Sequence, residues 1–192
     1  MDSQDIRTLR LLEAFEEEEQ TSQRELARRL DISLGLVNAF LKRLARKGYF
    51  KITNLPANRV KYLLTPKGMA EKSRLTYEYI QYSFIYYRQT RTRLAEIFQR
   101  LAKQRAENLV FWGAGELAEI AYVSLADTRL KLAAIVDPER AGTNFLGRQV
   151  AGAGALAALD YDFVLLTAMT PPEKFLAEAE TAGVAREKII FI

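Results

Sequence analysis

Apolar positions recur along this chain with a different rhythm in each of three successive stretches. Between residues 6 and 18 they fall at Ile6, Leu9, Leu12 and Phe15, a three-to-four spacing that predicts an amphipathic helix. Ser22 with Glu25 three residues on has the form of a capping box, opening a short helix with Leu26, Ala27 and Leu30 inward. After a turn at "LDIS", Ser33 caps a third helix, "LGLVNAFLKRLARKG", in which Leu36, Val37, Phe40, Leu41 and Leu44 face inward and Gly48 is the stop. The runs "YFKIT" and "VKYLL" around the polar turn "NLPANR" predict a hairpin, and Thr65 with Pro66 starts another helix.

The middle stretch changes period. Tyr77, Ile80, Phe84, Tyr87, Arg91, Leu94, Phe98 and Leu101 follow one another at alternating steps of three and four, a heptad seam interrupted only by Arg91. Such a seam predicts a dimerisation helix, with Tyr79, Tyr82 and Tyr86 on another flank.

From residue 108 onward, strand-like and helix-like runs alternate: "NLVFW", "GELAEIAYVSLA", "KLAAIVD", "GALAALD", "YDFVLLTAM", "PPEKFLAEAETAG" and "KIIFI". Alternation of this kind predicts a parallel sheet with helices packed on it. The expected fold is therefore α/β multidomain. It comprises a winged helix-turn-helix over 1–74, a linker and dimerisation helix over 75–107, and a small Rossmann-like parallel α/β domain over 108–192.

Charge sharpens that division. Residues 21–74 hold 13 Lys or Arg against 3 Asp or Glu, whereas residues 108–192 hold 7 against 11. A basic front and an acidic back imply different partners, the front one polyanionic. The chain has no Cys and no His, which excludes thiol chemistry and removes the commonest general base and metal ligand, so no metal site and no catalytic residues are expected. Its beginning is acidic and helical, and no stretch offers ~18 uninterrupted apolar residues, so the expectation is a cytoplasmic protein without a membrane partner.

On "TSQRELARRLDISLGLVNAFLKRLARKGYF" followed by "LTPKG", the stretch from about Ile6 to Ala70 resembles the MarR-like winged helix-turn-helix of bacterial transcription regulators. The resemblance implies binding to double-stranded DNA, with the third helix in a major groove and its first residues toward base edges. Ser33, Leu34, Gly35, Asn38 and Lys42 are the positions expected there, Asn38 being suited to bidentate pairing with adenine. Arg43, Arg46 and Lys47 are expected at phosphates, and Arg59 and Lys61 on the wing, with Arg59 at its tip suited to a minor groove. A homodimer would present two such helices to successive grooves.

Gly113, Gly115 and Ala118 form G-x-G-x-x-A after a strand and at the start of a helix, and the next strand ends in Asp137. That is the spacing of a dinucleotide-binding fingerprint: Gly113 for the tight turn, Gly115 for approach of a pyrophosphate, Ala118 for packing, Asp137 for ribose hydroxyls. Glu116 stands where its charge competes with a phosphate, and 85 residues hold only about one mononucleotide half. The pattern "GAGELAEIAY…AAIVDPE…FLGRQVAG" resembles small Rossmann-like regions of bacterial sugar acyltransferases and polysaccharide-biosynthesis proteins. This implies a pocket around Gly113, Ala114, Gly115, Glu116, Asp137 and the Thr167, Met169 and Thr170 loop. The resident ligand stays open among a nucleotide, a sugar nucleotide and NAD(H), as does a purely structural role.

The expected function is a homodimeric transcriptional regulator modulated through its Rossmann-like domain, with surface-polysaccharide genes as candidate targets. Two alternatives stand beside it: a nucleotide or sugar-nucleotide enzyme, for which no acid–base constellation is evident, and a protein-interaction module with a DNA-binding front.

Overall fold

A computed structural model describes residues 1–17, 22–55 and 59–192, without the side chains of residues 54, 55 and 59. The chain divides into two compact units, Met1–Ile85 and Tyr86–Ile192. The division falls inside one long helix.

In the first unit, α1 (Ser3–Glu17), α2 (Gln23–Leu30) and α3 (Leu34–Arg46) precede the antiparallel strands β1 (Phe50–Leu55) and β2 (Arg59–Leu64), and α4 (Pro66–Lys103) follows. α1 buries Thr8, Leu9, Leu11, Leu12, Ala14 and Phe15, a wider stripe than the four-residue spacing implied. Phe15 stacks on Tyr62 of β2 at 4.6 Å and meets Phe50 of β1 edge-on at 4.9 Å, so the hairpin and α1 share one core with Leu26, Val37, Phe40, Leu41 and Leu44. The expectation that Leu36 faces inward is corrected: it is 39% exposed. The buried arc of α3 is already complete with Val37, Phe40, Leu41 and Leu44, and Leu36 lies at its edge, about 40° beyond Phe40 at about 100° per residue. Of the expected wing turn, residues 56–58 lie outside the described residues, as does residue 18 of the first expected helix.

The "LTPKG" run has a local explanation. The Thr65 hydroxyl donates to the Gly48 carbonyl at 2.6 Å and accepts the Gly68 N–H at 3.0 Å, capping α4. A Cβ on Gly68 would sit 1.8 Å from the Tyr49 carbonyl oxygen, so only glycine lets α4 start this close to the chain leaving α3.

In the second unit a parallel sheet has the order β4-β3-β7-β8, formed by β3 (Asn108–Trp112), β4 (Lys131–Val136), β7 (Phe163–Leu166) and β8 (Ile189–Ile190). α5 (Glu116–Leu125) joins β3 to β4, and α6 (Pro172–Thr181) joins β7 to β8. This is the Rossmann-like architecture. Successive residues of β3 point to opposite faces. Leu109 and Phe111 pack with Ala118, Ala121 and Leu125 of α5, whereas Val110 and Trp112 pack with Leu156 and with Phe175 and Ala179 of α6.

Two expectations need correction here. Leu94, Phe98 and Leu101 do not belong to a dimer seam. They are 0% exposed and, with Ile97, fill the core beneath Leu109 and Phe111. A three-and-four spacing marks any helix with one buried face, and a sheet serves as the covering surface as well as a second helix does. The run "GALAALD" forms a 3-10 segment (Ala153–Ala158) rather than an α-helix, being too short and glycine-bounded to nucleate one. Ahead of it, "NFLGRQ" folds into a hairpin of β5 (Asn144–Phe145) and β6 (Arg148–Gln149), with Leu146 and Gly147 both at positive φ, as a two-residue type I′ turn requires.

Candidate nucleic-acid interface and glycine-turn site

The Ser22 hydroxyl accepts the Glu25 N–H at 3.1 Å and starts α2, which ends at Asp31 in the left-handed conformation (φ 50°). That residue reverses the chain within a tight turn. Ser33 then caps α3 by accepting the Leu36 N–H at 3.3 Å. The inward side chains of α3 seat it against α2, and the opposite side presents Gly35, Ala39, Lys42 and Arg46 along one exposed line. A Cβ at Gly35 would meet nothing within 4 Å, so this face is open.

The expected DNA-facing residues separate by environment. Leu34 is 40% exposed, Lys42, Arg46 and Lys47 are exposed, and Asn38 is half-buried on the flank of the outward line. Arg43 is held by its own unit: Nη1 donates to Gln4 Oε1 at 2.7 Å, and the guanidinium lies 4.5 Å from the Phe40 ring centre. Lys61 pairs with Thr53 across the hairpin, and Arg59 opens β2, its side chain lying outside the described residues. Ala39 was missed by the sequence reading, yet its position four residues after Gly35 and outside the apolar set was the available signal.

Behind α3, Tyr49 anchors a polar cluster. Glu71 binds Arg74 through two hydrogen bonds at 2.9 and 2.8 Å. The Arg74 bond holds the Glu71 carboxyl below its ordinary value, while burial, then the Glu71 charge, pushes the Tyr49 phenol up. Lys47 and Lys67 lie 5.6 and 5.8 Å from the Tyr49 ring centre, so this aromatic keeps two cations near the end of α3.

In the second unit the glycine turn links β3 to α5 at the carboxyl edge of the sheet, where the strand order puts β4 and β7 on opposite sides of β3. Open sheets bind ligands at such a switch point. Gly113 has φ 118°, and a Cβ there would fall 2.5 Å from the Ala168 backbone nitrogen. The Thr167 hydroxyl, buried, donates to the Gly113 carbonyl at 2.7 Å. Gly113 is therefore required by the protein itself. Gly115, at the amino end of α5, differs: its backbone is extended and a Cβ would meet nothing within 4 Å.

Asp137 turns back onto the glycine turn. One carboxylate oxygen accepts the Ala114 N–H at 2.9 Å and the other the Glu139 N–H at 3.0 Å. Arg140 donates to the Ala114 carbonyl, so both polar atoms of that residue's backbone are satisfied internally. Glu116 and Glu119 lie in the first turn of α5, favourable to the helix dipole and opposed to a bound phosphate. Thr170 is half-buried and Met169 is 85% exposed, the most open large apolar side chain of the candidate pocket. Trp112 is buried edge-on against Phe175 at 5.3 Å, on the α6 side of the sheet. The donors and acceptors around the turn suit hydroxyl groups of a ligand better than its phosphates.

A winged helix-turn-helix DNA-binding family matches residues 4–51, and a family described as C2185-like, N-terminal, matches residues 105–190. No curated protein matches the chain. Among solved structures it is similar to the PcaV transcriptional regulator from Streptomyces coelicolor, at 19% identity over 54% of this chain and 75% of that one, with a TM-score of 0.40. It is similar also to MepR, a transcription regulator of the Staphylococcus aureus multidrug efflux pump, at 17% identity over 54% and 80% of the two chains, with a TM-score of 0.38. The S-adenosylmethionine-dependent methyltransferase SibL shares 17% identity over 98% of this chain and 75% of its own, with a TM-score of 0.30.

Proposed function

We propose that this chain is a homodimeric DNA-binding regulator of transcription whose Rossmann-like unit receives an effector. The observation that carries the reading is the open line of Gly35, Ala39, Lys42 and Arg46 on a capped α3, within a segment of 13 basic against 3 acidic residues. A winged helix presenting such a face reads duplex DNA through base edges at one end and phosphates at the other.

Dimerisation through residues 77–86 of α4 is supported by composition and exposure together. Tyr77, Tyr79, Ile80, Tyr82, Phe84, Ile85 and Tyr86 are all exposed within ten residues. Such a concentration of large apolar side chains marks an interaction surface rather than a solvated helix, and a second copy would supply the two-fold symmetry that paired half-sites require. Tyr87, from the expected seam, is half-buried at its edge.

For the effector, the resemblance of the glycine-turn segment to polysaccharide-biosynthesis proteins supports a sugar nucleotide, with surface-polysaccharide genes as targets. Asp137 and Glu116 would engage its hydroxyls. The chain acts by binding and not by catalysis, consistent with a sequence free of His and Cys. One observation favours a second reading, in which the acidic unit docks a protein. The backbone of Ala114 is already satisfied by Asp137 and Arg140, and carboxylates crowd the turn.

The test is duplex binding by the full-length chain as a function of salt, with and without UDP-sugars or NADH. About 6 phosphate contacts would cost roughly 10³-fold in affinity between about 50 and 200 mM salt. A flat salt response would remove the DNA reading. Affinity unchanged by every ligand, with no change in melting temperature, would leave the protein-docking alternative.

A further inference from the structure

The two halves of the outward side of α3 differ in chemistry. Its first turn and a half presents Leu34, Gly35, Leu36 and Ala39, all exposed and none able to donate or accept a hydrogen bond through its side chain. The last turns present Lys42, Arg46 and Lys47. Ser33, at the start, already uses its hydroxyl as acceptor for the Leu36 N–H. Asn38 alone carries a carboxamide in this region. Leu34 and Leu36, at the borders of the buried face, are 40% and 39% exposed, and Gly35 between them in the chain leaves the backbone bare.

A helix that enters a major groove by its amino end sets these residues against base edges and the later cations against phosphates. Among the groups that the four base pairs display in that groove, the C5-methyl of thymine is the one apolar feature. An apolar reading end therefore has one complementary partner. We infer that Leu34 and Leu36 select operator sequence by packing on thymine methyl groups, with Asn38 pairing with an adjacent adenine. This rests on the DNA-binding reading above and adds to it the base that the helix recognises and the residues that recognise it.

The experiment selects duplexes from a random-sequence pool with the full-length chain. Affinity is then measured for the selected duplex and for copies in which single thymines are replaced by deoxyuridine, which pairs identically but lacks the methyl. Each contacted thymine should cost about four-fold, the worth of one buried methyl of ~0.8 kcal/mol. The double variant Leu34→Ser with Leu36→Ser changes exposed positions only. It should bind with the same salt slope while no longer distinguishing thymine from deoxyuridine.

Equal affinity for every deoxyuridine copy, or discrimination retained by the double variant, overturns the inference. Salt-dependent binding without enrichment of any sequence overturns it too, while leaving the DNA-binding reading intact. Absence of binding to any duplex removes both.

Discussion

The carboxylate of Asp137, at the end of β4, accepts the backbone N–H of Ala114 in the glycine turn after β3, at 2.9 Å. The acidic residue expected to meet a ligand's ribose thus also closes the turn that would cradle it. Asp137→Ala removes acceptors from two backbone N–H groups and should lower stability by about 1–3 kcal/mol, with Asp137→Asn costing less because one oxygen remains. Denaturant unfolding measures the loss. Equal stability of all three proteins would show that the closure contributes nothing.

The two glycines of the turn should respond unequally to alanine. Gly113→Ala puts a Cβ against Ala168 at a φ of 118° and should cost about 1–3 kcal/mol by overpacking, with backbone strain added. Gly115→Ala meets nothing within 4 Å and, at the N-cap of α5 where alanine is poorer than glycine, should cost only about 0.5–1 kcal/mol. Any loss of effector binding by the second variant, with the fold retained, would assign Gly115 to the ligand.

Glutamate substitutions along α4 separate the proposed interface from the core. Phe84 is 60% exposed, so Phe84→Glu should give a folded monomer. Leu94 is fully buried beneath the sheet, and Leu94→Glu would bury an unpaired charge and unfold the second unit. Light scattering with circular dichroism reports both. A Phe84→Glu protein that remains dimeric would move the interface elsewhere.

Asp162 ties the start of β3 by accepting the Asn108 and Glu107 N–H groups at 2.9 and 2.7 Å. The Asn108 bond, then the Glu107 bond, holds its carboxyl below the ordinary value. With a folded value below the unfolded one of ~3.9, this stabilisation is full at neutral pH. It fades as pH falls from about 4 through the lower folded value. Asp162→Asn should therefore be less stable than the parent at pH 7 and show a shallower loss on acidification. Parallel acid limbs in the two proteins would contradict this.

Local spacing carried much of this architecture. Caps at Ser22 and Ser33 act within three residues, and the alternation along β3 follows from the geometry of a single strand, so neither depends on distant partners. The G-x-G-x-x-A spacing placed the turn correctly for the same reason. It did not reveal that Gly113 answers to Ala168 while Gly115 answers to nothing in the protein, because that distinction requires β7 to be laid beside β3.

The heptad of α4 marks the limit. Tyr77, Ile80 and Phe84 share their period with Leu94, Phe98 and Leu101, yet the first three are exposed and the last three lie under a sheet. Periodicity records that a helix has an apolar face. What covers that face depends on elements far away in the chain, and only the folded sheet assigned it. The same holds for Asp137: its place at a strand end was readable, but its partner, Ala114, is brought within reach only when β3 and β4 pair in parallel register.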